Sequence, residues 1–554
     1  MKMKRRVLTI GALILCLAIT ACGNNTGNQT SINTKDPVKQ PDKASNQGNE
    51  VIEVSTVSPS DQYLKFDEGE SFAKNAIYDA YEKDIGVKIT NKWIADTSQF
   101  NEKVKITIAS DDLPDFLLVN ATQLKELTEA GMIMDLTKVY DENATDETKK
   151  FLMMDGGMQM KTAMFDNKLM GIPSSYNPYS YQFLYVRTDW LKKLNLPEPK
   201  TMADVMTIAE AFKTKNPGGT SKSYGLAVSK DPFNSGTGVT GLQAFLNGYH
   251  AYGNIWIDDG KGGLVNSDIQ PQVKVALGAL QDMFKKGLLD PEFAVKDVEK
   301  EAELIYDNSI GMVYGASWTP AQLVKGAVKD GKVVQEWGAF PIPTVDSDPA
   351  LSQIGLGVDQ YYVISKKAKH PEGVIKLLNQ WIAVDNHPTN EQKVYEFGKG
   401  LVEKGNNYWL LSPLRVGKQL DNNGEILPKA IENKDQSILQ TKDQRTRYER
   451  AMKYVDGDTS MWWEYLISGP KGVYSLVPPI QKNKQYLQNK FYGAPTPTMV
   501  DRQEILLKKR DEVFFKIMMN QVSVDEFDKF VEEWKKLGGD EITKEVNELF
   551  ADHK

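Results

Sequence analysis

Three observations predict an α/β fold for this chain. Short β-branched stretches alternate with amphipathic helical stretches along the start of the folded region, the rhythm of strand–helix units. A length of 554 residues with 41% apolar side chains supplies enough core for two or three domains. Cysteine is nearly absent, with only Cys16 and Cys22, so stability must come from that core and not from disulfides.

Residues 1–22 come first. Lys2, Lys4, Arg5 and Arg6 precede the apolar run 7–19, and Ile19-Thr20-Ala21-Cys22 then leads into an abruptly polar segment. A basic start, a short apolar centre and small residues make an export signal, too short for a membrane span. The Ile-small-small-Cys ending resembles a bacterial lipobox, in which Cys22 is lipidated and becomes the mature N-terminus. The alternatives are an ordinary signal peptide or a single anchor helix. Residues 22–50 are rich in Asn, Gln, Ser, Lys, Asp and Pro, with Ile32 and Val38 as the apolar exceptions. Such a segment cannot bury enough surface to fold, and it is expected to serve as a lipidated, disordered tether.

Cleavage would remove four of the 67 basic residues and no acid, leaving 63 against 74 and a net charge of −11. That balance argues against nucleic acid held by long-range attraction. No other stretch approaches the length of a membrane span, so the expected membrane link is lipid alone, requiring more than one acyl chain.

The folded part begins with a strand at 51–57, by its alternation and β-branching. A helix follows over 73–82, then a strand at 87–93, a helix running to about 109, and a turn and strand at 113–119. Met202, Val205, Met206, Ala209 and Phe212 form a helical stripe with Thr201 as N-cap. Residues 273–284 form another amphipathic helix, with Lys285, Lys286 and Gly287 at its end. Near the C-terminus, Ser523 and Glu526 have capping-box spacing. Phe527, Phe530, Val531, Trp534 and Leu537 share one face of that last helix, read as core packing, and Gly538-Gly539 ends it.

Local motifs for chemistry are lacking. The four histidines, His250, His370, His387 and His553, have no metal-ligand spacing. HExxH, GxSxG and phosphate-loop patterns are absent, and Gly355-Leu356-Gly357 is a lone fragment. Carboxylates are plentiful, but no motif nominates a glycosidase pair. The aromatic inventory says more: 10 Trp, 23 Tyr and 20 Phe, several in polar or Gly/Pro-rich stretches. Examples are Tyr176-Asn177-Pro178-Tyr179-Ser180-Tyr181, Gly253-Asn254-Ile255-Trp256, Gly315-Ala316-Ser317-Trp318, Asp359-Gln360-Tyr361-Tyr362, Tyr408-Trp409 and Trp462-Trp463. Rigid apolar rings among directional amides, carboxylates and guanidinium groups suit a ligand with C–H faces and hydroxyl edges, a sugar. Taken singly, each ring is as readily a half-buried structural residue. Taken together they favour a cleft.

Three stretches carry a resemblance: Gly171-Ile172-Pro173 through Phe183-Leu184-Tyr185-Val186-Arg187-Thr188-Asp189-Trp190, then Gly493-Ala494-Pro495-Thr496, and the run from Phe527 to Asn547. The chain from about 51 to 550 resembles extracellular solute-binding proteins (family 1) of carbohydrate ABC importers. The likeness is closest to the large Gram-positive lipoproteins of the LplA/YtcQ type and to alginate-oligosaccharide binding proteins. The resemblance implies a two-lobed periplasmic-binding-protein-like α/β fold, with a hinge and an interlobe cleft that closes on ligand. On this chain that gives a signal peptide at 1–21, the tether at 22–50, a first lobe starting with 51–182 and a second with 183–345. Residues 346–430 would return mainly to the first lobe, and 431–554 would form a helical region packing on both.

The expected function is a lipid-anchored receptor that captures an oligosaccharide and delivers it unaltered to the importer's permease subunits, as a monomer on the extracytoplasmic face. No enzyme activity, cofactor, metal or nucleic-acid partner is expected. Candidate ligand contacts are Tyr176, Asn177, Tyr179, Tyr181, Arg187, Trp256, Trp318, Asp359, Tyr361, Trp409, Arg415 and Trp462. Trp318 leads them, because Gly315, Ala316 and Ser317 would let ligand approach closely. Trp190 is read as packing, while Arg187 and Arg415 are either donors to ligand or structural. Tyr361 and Tyr362 would point to opposite sides of a strand, so at most one meets ligand. Related proteins carry an acidic calcium loop after the helix matching 202–212. Here that loop reads Asn-Pro-Gly-Gly-Thr-Ser-Lys-Ser, without the carboxylates calcium needs, so the site is expected to be absent. Asp258 and Asp259 are read as a solvated turn. The rival functions are a receptor for a peptide or other non-sugar solute, and a surface polysaccharide-active enzyme or adhesin.

Overall fold

A computed structural model describes residues 51–61, 64–233, 238–386, 408–417 and 422–552. The expected signal peptide, Cys22, the tether, His387 and His553 lie outside the described residues.

The β-branched start of the folded region forms the strand Ile52–Ser60, which pairs in parallel with Val87–Asp96. Parallel pairing needs a crossover, and helix Ala76–Ile85 supplies it. The Asn75 side chain accepts the Ile77 and Tyr78 amides at its start, and Gly86 in the left-handed region ends it. Strand Phe116–Asn120 is pinned alongside by Asp115, whose Oδ2 accepts the Ser55 amide at 2.7 Å and its hydroxyl at 2.6 Å. That strand pairs antiparallel with Gln360–Ile364, which arrives from far downstream and also pairs with Ile172–Pro173. Helix Pro371–Asn386 contributes to the same core, where Val54, Ile77, Phe116, Ile364 and Leu378 are fully or almost fully buried. This is the first lobe.

The second lobe is built around strand Gln182–Arg187, whose last five residues are buried. Met312–Ala316 and Trp337–Phe340 flank it, both antiparallel. Side chains alternate along the strand and serve two cores. Leu184 and Val186 join Val205, Phe212, Leu277, Phe514, Phe530 and Trp534 on one face. Phe183 and Tyr185 join Ile305, Trp337, Trp462 and Val473 on the other. Helix Met202–Lys215 starts at Thr201 with a reciprocal cap: the Thr201 hydroxyl accepts the Asp204 amide and the Asp204 carboxylate accepts the Thr201 amide. The C-terminal helices Pro497–Met518, Glu526–Trp534 and Asp540–Asp552 all pack into the first of these two cores.

One local expectation is corrected at this end of the chain and one holds. Ser523 and Glu526 form no capping box, because Asp525 intervenes: the Ser523 hydroxyl donates to the Asp525 carboxylate and accepts its amide, both at 3.3 Å. Gly538-Gly539 does end the helix that carries the aromatic stripe, at a non-helical Gly538, although that helix is not the last. Gly538 takes φ 128°, and a Cβ on Gly539 would lie 2.1 Å from the Trp534 ring. The pair makes a tight kink from which a further helix, Asp540–Asp552, continues.

Among the described residues, three passages run between the lobes: 173–182, 352–360 and 411–417. Backbone bonds knit them together, from Ser174 to the Gln360 carbonyl at 2.9 Å, Tyr176 to Gly357 at 2.8 Å and Gly417 to Ser175 at 2.6 Å. Gly357 explains the lone glycine fragment. At φ 76°, any Cβ there would sit 2.3 Å from Gln159 Nε2 and 2.5 Å from the Tyr176 carbonyl. Only glycine lets the passages approach this closely. No helix among the described residues is long and apolar enough to cross a membrane.

Candidate functional site: an interlobe cleft

The passages and the second lobe enclose a cleft of about 530 Å³, with Leu356 and Val358 entering from the first-lobe side. Trp318 stands at its wall where strand Met312–Ala316 turns into helix Pro320–Ala327, with 42% of its surface exposed. Opposite in the chain, Tyr176 projects from the first passage and is 44% exposed. Its phenol is pushed up by partial burial, with the Asp359 charge adding to the effect. Large rings left half open in a cleft offer apolar faces to a ligand.

Amides line the space between them. Gln182, Gln243 and Asn254 have side chains with no intramolecular hydrogen bond among the described residues. Asn489 uses its Oδ1 to accept the Trp256 amide at 2.9 Å and the Phe491 amide at 3.2 Å, which leaves its NH2 uncommitted. Gln353 instead clamps a loop, donating to the Gly253 carbonyl at 2.7 Å and accepting its amide at 3.2 Å. At the floor, Arg510 donates to Asp268 at 3.1 Å and twice to Asp511 at 2.8 and 2.7 Å. Both partners of the Arg510–Asp268 pair are almost fully buried.

Past Asn254, Asp268 and Asn489 the cleft continues into a second chamber of about 280 Å³. Trp256, Phe491 and Trp534 line it, the first two edge to face with centroids 6.5 Å apart. A third space of about 230 Å³ lies at the passages, where Tyr179 and Tyr181 meet Ser317 and Tyr474.

The predicted residues therefore separate. Tyr176, Asn177 and Trp318 come together on the main cleft. Trp256 lines the second chamber and is 5% exposed. Tyr179 and Tyr181 line the third space and meet Tyr486, edge to face at 5.4 Å and tilted at 6.4 Å between centroids. Burial, with Tyr486 adjoining, pushes the Tyr179 phenol up to about 12. Asp359 is exposed next to this group, acting on Tyr176 through its charge. Four others sit in packing environments. Arg187 is buried: it forms a bidentate pair with Asp189 at 2.8 and 2.7 Å, donates to Asn308 at 2.8 Å and lies 4.4 Å over the Trp190 ring. Tyr361 and Tyr362 are both in the first-lobe core, Tyr362 because its hydroxyl accepts the Arg415 amide at 2.9 Å. Trp462 is 6% exposed in the second lobe's outer core. Arg415 contributes backbone to the passage, its carbonyl accepting the Tyr362 hydroxyl at 3.2 Å. The Trp409 side chain lies outside the described residues.

Sequence reasoning passed over Gln182, Gln243, Asn254, Gln353 and Asn489, and the Arg510–Asp268 pair. Asn254 was within reach, next to Trp256 in a Gly-Asn turn with φ 57°. Nothing local marks the glutamines. The loop after Met202–Lys215 closes on itself, with the Asn216 amide donating to the Thr220 carbonyl at 2.7 Å. Among the described residues no group of three or more His, Cys, Asp or Glu could hold a metal ion. Asp258 and Asp259 accept the turn's own amides, from Gly260, Lys261 and Gly263.

The family model for bacterial extracellular solute-binding proteins matches residues 66–383, spanning the first lobe, two passages and much of the second lobe. The chain belongs to this family. Over its full length it is 23% identical to the lipoprotein LipO of Bacillus subtilis, with all of both chains covered. It is 21% identical to the polygalacturonan/rhamnogalacturonan-binding protein YtcQ of the same organism, covering 85% of this chain and 87% of that one. Among solved structures, an HMO-binding, ABC-transporter-associated solute-binding protein from Bifidobacterium longum infantis superposes with a TM-score of 0.63. It is 16% identical and covers 91% of this chain and 99% of its own. That likeness establishes a bilobed solute-binding fold. In this solute-binding protein the cleft lies between the two lobes.

Proposed function

We propose that this chain is the receptor of an ABC importer, lipid-anchored through Cys22 on the outer face of a Gram-positive membrane. It captures an oligosaccharide in the interlobe cleft and hands it unaltered to the permease subunits. The observation that carries this reading is the pairing of two half-exposed rings, Trp318 and Tyr176, with uncommitted amides at Gln182, Gln243, Asn254 and Asn489. A sugar presents C–H faces and a rim of hydroxyls that both donate and accept, and amides can meet either role. The relatives support the same class, since YtcQ is named for binding polygalacturonan and rhamnogalacturonan and the Bifidobacterium protein for binding HMO. Ligand favours closure by binding the closed form better than the open one. Delivery follows if the permease recognises that closed shape.

A thermal-shift screen of the full-length protein against oligosaccharides and short peptides tests this. One or more oligosaccharides should raise the melting temperature, because a ligand that binds only the native state stabilises it by mass action. A shift with peptides and with no glycan would make the protein a peptide receptor instead.

A further inference from the structure

We propose that the captured oligosaccharide is uncharged, which separates this receptor from relatives that bind uronate polymers; the proposal rests on the oligosaccharide reading above. A bound uronate carries one carboxylate per ring into a cleft that sheds water on closure. An anion moved there without a cationic partner loses several kcal/mol of hydration. A uronate site therefore needs arginine or lysine with donors to spare.

Among the described residues lining the cleft and the second chamber, Arg510 is the only cation, and its charge is already offset by carboxylates. One of its terminal nitrogens is held by Asp268, and the other, with Nε, by Asp511. Two carboxylates around one guanidinium leave a local charge of −1. Asp359, near Tyr176, adds a further negative charge at the mouth. The field that a ligand carboxylate would meet is repulsive. The neutral groups, by contrast, are unspent. The amides of Gln182, Gln243 and Asn254 and the Asn489 NH2 follow the cleft towards the chamber, where Trp256 and Phe491 offer rings. That combination binds hydroxyls and C–H faces and supplies no counter-ion.

Calorimetric titration of the full-length protein with two sets of trisaccharides tests the proposal. One set is neutral: maltotriose, kestose, xylotriose and fully methyl-esterified trigalacturonate. The other is acidic: free trigalacturonate and the trimannuronate and triguluronate of alginate. A neutral trisaccharide should bind at least tenfold more tightly than any acidic one, with a Kd that stays within twofold between 50 and 500 mM NaCl, since no ion pair is formed (expected values of this proposal, about 1.4 kcal/mol for tenfold). If free trigalacturonate binds as tightly as its methyl ester, with affinity falling as salt rises, the proposal is wrong while the oligosaccharide reading stands. If no member of either set binds, both fall together.

Discussion

Two clusters of aromatic and amide side chains, close together in the chain, behave in opposite ways. Around Arg187 the charges are paired: the guanidinium holds Asp189 and Asn308 and covers the Trp190 face, which itself meets Phe212 edge-on at 5.0 Å. Around Tyr176 and Trp318 the rings stand 44% and 42% exposed, and the amides of Gln182 and Gln243 have no hydrogen-bond partner among the described residues. Residue type does not distinguish the two clusters; saturation does. A closed network in a low-dielectric interior holds structure, and an open one in a water-filled cleft is free to bind.

Of changes to the two clusters, Arg187→Met should give the larger effect. It removes the cation from a buried pair and leaves Asp189 and Asn308 to find other partners, which costs about 3 kcal/mol of stability, the low end for a broken buried pair because Asp189 is partly exposed. Urea unfolding would show the loss. Affinity of the folded protein for its ligand should stay within about twofold, since nothing in the knot reaches the cleft (a tenfold change needs about 1.4 kcal/mol). A variant of normal stability that no longer bound ligand would reverse the comparison and make the knot part of the site.

Trp318→Ala is the converse and the next in size. The ring is exposed, so stability should move by no more than about 0.5 kcal/mol. Affinity for the oligosaccharide found by screening should fall at least tenfold, about 1.4 kcal/mol, because a stacking face is lost. Calorimetry and thermal melting on the same samples separate the two quantities. Unchanged affinity would reduce Trp318 to a rim residue.

The fold was largely legible because its signals are local. Thr201 caps its helix as its spacing implied, and the stripe below it, Met202, Val205, Ala209 and Phe212, is buried. Strand and helix alternation from Ile52 to Asn120 follows the period of the apolar side chains. The capping box failed through a local competition that spacing cannot weigh, Asp525 taking the Ser523 hydroxyl. The site was legible only in part. Trp318 could be singled out because small residues precede it, and Tyr176 because it sits among Asn and Pro. Arg187, Trp462 and Tyr361 look the same on paper, and only tertiary burial distinguishes them. Gln353 and Asn489 are invisible in sequence because their roles depend on Gly253 and Trp256, distant partners that the passages bring close.

Glu301 stands between the two cases, as a buried group that is not fully spent. One carboxyl oxygen accepts the Val228 amide at 3.4 Å, and the other has no hydrogen-bond partner among the described residues. Asp290 adjoins it and is ion-paired with Lys296. Burial, reinforced by the Asp290 charge, pushes Glu301 up to about 8, so the folded protein keeps a proton there that the unfolded chain releases near its ordinary value of 4.5. Because the native state binds more protons through that window, stability falls as pH rises from about 5 towards 8 and levels off above it. The slope from this one group is at most about 1.4 kcal/mol per pH unit. Glu301→Gln keeps the acceptor for Val228 and has nothing to ionise. Its urea midpoint should therefore lose less than the parent's between pH 6 and pH 8.5, with the two proteins closest at the acidic end. Parallel pH profiles for the two would mean that Glu301 is ionised in the native state, its charge balanced by Lys296 despite the burial.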